Sequence, residues 1–136
     1  MEAPDLAQFR PYKVIDDIDL EGVVVPGLRG EFLSRAEGPR TATVGRYSYA
    51  GREVFRAWGY EGEEHCRYFA VLGPDGEWER PQAGCPRVRV LADDDGVAGL
   101  ALHSSTGDWY IAPASGRRRP PLRPTAGSSA RSGLEG

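Results

Sequence analysis

Four side chains in this chain are soft enough to hold a transition metal: His65, Cys66, Cys85 and His103. A structural zinc site takes four such donors, usually with two of them a few residues apart so that one turn of chain chelates the ion. Here two donors are adjacent and the others distant, and on an extended strand His65 and Cys66 point to opposite faces. No metal is expected from this spacing. A Cys–His nucleophile, Cys66 with His103 or Cys85 with His65, needs an orienting acid as well, and the sequence places none beside them. The run His103–Trp109 (HSSTGDW) gathers His, Ser and Asp. A catalytic triad assembles from separate elements, so this contiguity reads as a polar hairpin loop.

The acidic residues are no more diagnostic. Asp93, Asp94 and Asp95 precede Gly96 without the alternating spacing and distal Glu of a calcium loop, and Asp-Gly between two apolar runs is a hairpin signal. Glu61, Glu63 and Glu64 read as a solvated loop tip, with a basic partner as the alternative. Glu53 is the carboxylate placed inside a strand. The glycines are dispersed and build no phosphate cradle. No catalytic residue is assigned, and no metal or cofactor is expected.

The densest constellation is Gly45–Tyr60 (GRYSYAGREVFRAWGY), where arginines and aromatics interleave. With Ala50-Gly51 as the turn, Tyr49 lies opposite Arg52, and strict alternation then pairs Tyr47 with Val54, Gly45 with Arg56 and Thr43 with Trp58. One face would carry Tyr47, Tyr49, Arg52, Arg56 and Trp58. Turned outward, it is a platform that stacks on planar groups while the arginines hold anions, as in single-strand binders. Turned inward, it is core, with the arginine stems reaching past the rings to water. Trp109 and Trp78 are candidate anchors beside it.

Positioning these residues falls to short strands. Val23–Val25 is expected as a strand stopped by Pro26-Gly27, and Glu31–Arg35 as a second. Residues 65–72 alternate, which places Cys66, Tyr68, Ala70 and Leu72 inward. Residues 87–92 put Val88, Val90 and Ala92 on one face. Residues 97–103 and Trp109–Ala112 follow as further strands. Turn signals recur roughly every 8–12 residues, and no helical period persists. The fold class is all-β: a small antiparallel barrel or sandwich of seven to eight short strands, a barrel preferred because closure removes edges. It spans residues 12–113, after a flexible lead-in over 1–11 with at most one helical turn. Residues 114–136, rich in Arg, Pro, Ser and Gly, read as a disordered basic tail. In that tail Arg118, Pro121 and Pro124 have the spacing of a polyproline ligand.

Composition sets the partner classes. Residues 1–113 hold 12 Arg and Lys against 19 Asp and Glu, while 114–136 hold five Arg against Glu135, so an acidic body carries a basic tail. An acidic body repels a phosphate backbone. No charged and apolar leader opens the chain, and no run has the length of a membrane span. A cytoplasmic setting is therefore expected, with both cysteines as thiols. The expected function is a non-enzymatic intracellular binding protein acting through protein–protein contacts. The alternatives are single-stranded nucleic-acid binding through the hairpin face, or a barrel around a small molecule lined by Tyr47, Trp58, Tyr68 and Trp109.

Overall fold

The computed structural model describes residues 2–93 and 96–111. The Asp94-Asp95 turn and the basic tail, with its polyproline-like spacing, lie outside the described residues. Among the described residues nine strands form two antiparallel sheets. The first is a meander of β1 (Arg10–Asp16), β2 (Leu28–Glu37), β3 (Arg40–Tyr49), β4 (Arg52–Tyr60), β5 (Tyr68–Val71) and β6 (Gln82–Ala83). The second holds β7 (Arg87–Asp93), β8 (Gly96–Ser104) and β9 (Gly107–Ile111). The larger sheet is open, with β1 and β6 as its edges, so the closed barrel is not formed. No α-helix occurs among the described residues; the lead-in contributes one 3-10 turn, Leu6–Gln8, in which the Ala7 N–H donates to the Asp5 side chain.

The core is where the sheets meet. Leu28, Tyr47, Tyr49, Phe55, Ala57, Phe69 and Val71 from the first sheet pack with Val88, Leu100, Leu102 and Ile111 from the second. Phe69 and Trp109 join the layers edge to face at 5.4 Å. An aromatic row runs across the large sheet: Tyr12 to Phe32 at 6.2 Å, Phe32 to Tyr47 at 6.0 Å, and Tyr47 stacked on Phe55 at 4.6 Å. Such offset and edge contacts add to the area that each ring buries.

The β3–β4 hairpin turns at Ala50-Gly51 with φ of 54° and 86°, the two positive values that a tight hairpin turn requires. Tyr49 pairs with Arg52 as expected, but the ladder then slips. Ser48 pairs with Glu53 and Tyr47 with Phe55, so Val54 is an extra residue, a β-bulge. Beyond it every side chain of β4 changes face relative to strict alternation. Gly45 pairs with Ala57 and Thr43 with Gly59 on the core side, while Arg46/Arg56 and Val44/Trp58 pair on the other.

Two other expectations are corrected. Val23–Val25 is not a strand. Asp19 folds residues 17–27 into a loop by accepting the N–H groups of Glu21 and Val23, leaving Val23 and Val24 exposed and inserting Val25 into the core. In β5 the inward residues are Phe69 and Val71, because Ala57 pairs with Phe69; Tyr68 and Ala70 take the opposite face. That opposite face is not left to water either. Leu33, Val44 and Ala70 on it are buried. Arg56 there donates to the Pro4 carbonyl at 2.8 Å, and Arg35 to Gln8 Oε1 at 3.0 Å with its guanidinium 4.7 Å from the Phe9 ring. These contacts lay the lead-in on the sheet as a partial third layer.

Candidate functional site

The arginines and aromatics of the hairpin do not share one surface. Tyr47 and Tyr49 are buried in the core. Arg56 is on the far face, holding Glu53 at 2.6 Å and stacking 4.3 Å over Trp78. Trp58 packs beside Tyr68 on that same far face. Arg52 is exposed at the hairpin tip, and Trp109 is in the second sheet, donating its indole N–H to Glu79 at 2.7 Å. The bulge at Val54 divides the constellation between two sides of one sheet. His103 pairs with Asp108 at 3.0 Å. Among the described residues no group of His, Cys, Asp and Glu is arranged to hold a metal ion.

A cleft opens elsewhere, over the core face near the far end of β3 and β4. Its floor follows from four small residues. The pairs Gly45/Ala57 and Thr43/Gly59 leave a depression in the sheet, because none of them projects a long side chain into it. The cleft encloses about 490 Å³. One wall is the 17–27 loop, through Asp19 and Leu20; the other is the 61–67 loop, through Glu63, His65 and Cys66. Phe32 and Tyr47 line its inner end.

The 61–67 loop is held in place covalently. Cys66 and Cys85 form a disulfide, with Cα atoms 5.2 Å apart, inside the range such bonds span. This overturns the expectation of free thiols. The Gly84 N–H donates to the Arg67 carbonyl at 2.8 Å and brings the two segments together. Because β5 starts only at Tyr68, His65 and Cys66 are in a loop and both border the cleft, rather than projecting from opposite faces of a strand. Glu63 braces the same loop: Arg67 and Arg40 donate to its carboxylate, the latter at 2.8 Å. Partial desolvation pushes the Glu63 carboxyl up, but the Arg67 hydrogen bond, the Tyr60 N–H and Arg40 together hold it below the usual glutamate value.

Two buried polar groups that line the cleft lack partners among the described residues. Tyr47 is 2% exposed, and its ring leans back along β3 so that its hydroxyl lies over Gly45. That hydroxyl has no hydrogen-bond partner among the described residues. Burial first, and the charge of Asp19 second, push its pKa well above the usual tyrosine value, so it stays a neutral O–H. Asp19 is 5% exposed. Its Oδ1 accepts from Glu21 and Val23 at 2.8 and 2.9 Å, whereas Oδ2 has no hydrogen bond and the carboxylate no cation among the described residues. A buried carboxylate is costly unless paired. Sequence reasoning that follows arginines and aromatics passes over both Asp19 and the small residues of the floor. The signal was Asp19 just ahead of Glu21-Gly22, a side chain that favours closing a turn on its own backbone.

In comparisons with protein-family models, with curated proteins and with solved structures, no match to this chain is found.

Proposed function

We propose that this chain is a binding protein that takes a basic segment of a protein partner, seating a Lys ammonium or Arg guanidinium in the cleft between the 17–27 and 61–67 loops. The observation that supports this reading is the pair of unpartnered polar groups, Asp19 Oδ2 and Tyr47 Oη, lining one open cleft. A cation there satisfies both: the carboxylate accepts a charge-assisted hydrogen bond, and the neutral phenol oxygen accepts a second. Phe32 adds a ring edge or face at the inner end, and an aromatic face attracts a cation. Glu64 at the mouth adds negative charge that draws basic partners in.

The test is calorimetry with an oligo-arginine peptide and with N-acetyl-arginine amide, each titrated to the millimolar range. Asp19→Asn keeps an oxygen for both loop N–H groups and removes the charge. It is expected to weaken binding roughly tenfold to a hundredfold, the worth of a charged hydrogen bond, with the melting temperature nearly unchanged. Binding that is indifferent to Asp19→Asn, or a single-stranded oligonucleotide that binds where the basic probes do not, overturns the proposal.

A further inference from the structure

We infer that the cleft has an internal occupant: the chain's own arginine run, Arg117 to Arg123, seats in it when no partner is present. The inference rests on the cleft being a cation site. Three facts point to this segment. The first is charge. Arg117, Arg118, Arg119 and Arg123 lie in Gly116–Pro124 with no acidic residue among them, and the acidic body holds Asp19, whose carboxylate has no cation among the described residues. The second is reach. Ser104 and Ser105, at the start of the last hairpin, border the cleft that adjoins the site and share its Glu64, His65, Cys66 and Cys85. The last described strand runs from Gly107 to Ile111 away from that end, a span of about 14 Å at ~3.4 Å per residue. The six residue steps from Ile111 to Arg117 cover up to about 20 Å, and the twelve to Arg123 up to about 40 Å, so the run exceeds that span with length left for the adjoining cleft. The third is stiffness. Proline fixes φ, so Pro120, Pro121 and Pro124 leave the run fewer conformations to lose on docking.

An attached ligand of this kind competes at an effective concentration in about the millimolar range. A partner must then displace it, which sets a threshold on partner affinity. The full-length chain is compared with a full-length variant in which Arg117, Arg118, Arg119 and Arg123 are changed to Ser. Each is titrated with a synthetic peptide of residues 114–126 and, separately, with N-acetyl-arginine amide. The peptide is expected to bind the tail-substituted chain at least tenfold more tightly than the intact chain. Adding Asp19→Asn to the tail-substituted chain is expected to weaken that binding roughly tenfold to a hundredfold. Equal binding to both chains overturns the internal occupant and leaves the cation site standing. So does Asp19-dependent binding of the amide where the peptide binds neither chain. Failure of both probes on both chains overturns the cation site and the inference together. A difference between the chains that grows with protein concentration overturns the intramolecular form, because a second copy then supplies the segment.

Discussion

Gly45→Ala tests the packing that aims Tyr47 into the cleft. A methyl at position 45 would lie 2.7 Å from Tyr47 Cε2, 2.9 Å from its Oη and 3.0 Å from its Cζ. The ring has nowhere simple to go: it is stacked on Phe55 at 4.6 Å and meets Phe32 edge-on at 6.0 Å. Overpacking of a filled core costs about 1–3 kcal/mol. Replacing a strand glycine by alanine returns about 0.5–1 kcal/mol of conformational entropy. The net expectation is a loss of up to about 2.5 kcal/mol, read as a lower urea midpoint at unchanged slope. Tyr47→Leu removes all three atoms that the methyl meets. In that background Gly45→Ala should be neutral or slightly stabilising, giving a coupling of about 1–3 kcal/mol in the double-mutant cycle, the overpacking term itself. A cycle with no coupling refutes the placement of the Tyr47 ring over Gly45, and with it the aim of its hydroxyl.

Reduction of the Cys66–Cys85 disulfide, or its replacement by two serines, should cost about 3 kcal/mol by the loop-entropy relation for its 19-residue separation. Urea melts with and without reductant measure this, and coincident midpoints would count against the bond. Glu63 should titrate below the usual glutamate range in a carbon-detected NMR pH series. Since its folded value is the lower one, its contribution to stability is full above the unfolded value and disappears as pH falls through the folded value. A midpoint at or above the usual value refutes the bracing by Arg67 and Arg40. Arg56→Ala removes the hydrogen bonds to Glu53 and Pro4 and the stack on Trp78, and should cost about 1–3 kcal/mol. If Arg56→Lys is as stable as the parent, the planar, two-partner role assigned to the guanidinium is wrong.

The sequence carried the class of the fold in its turn signals and short apolar alternations, and it carried the hairpin tip in Ala50-Gly51. What it hid was parity. Alternation from the tip makes Val54, Arg56 and Trp58 face Tyr47, and one extra residue at Val54 replaces them with Phe55, Ala57 and Gly59. Composition held a clue, since a bulky Tyr47 wants small residues opposite and along its own strand. Local pattern cannot set that against the equally regular alternative. In β5 the same kind of parity error followed from starting the strand at His65, where a disulfide-tied loop still runs. The turn-closing role of Asp19 was legible ahead of Glu21-Gly22, but its isolation from cations was not: that is a property of distance in space, and in sequence it sits among other acids.

The lead-in pinned to the outer face has a kinetic consequence. Arg56 and Pro4 are 52 residues apart in sequence, so the Pro4 carbonyl meets this donor only once β4 is in place. Contacts of that span close late, after the meander has formed locally. An element absent from the transition state scarcely alters how fast a chain folds and strongly alters how fast it unfolds. The lead-in therefore acts as a latch: its loss should leave refolding rates alone and shorten the lifetime of the folded state.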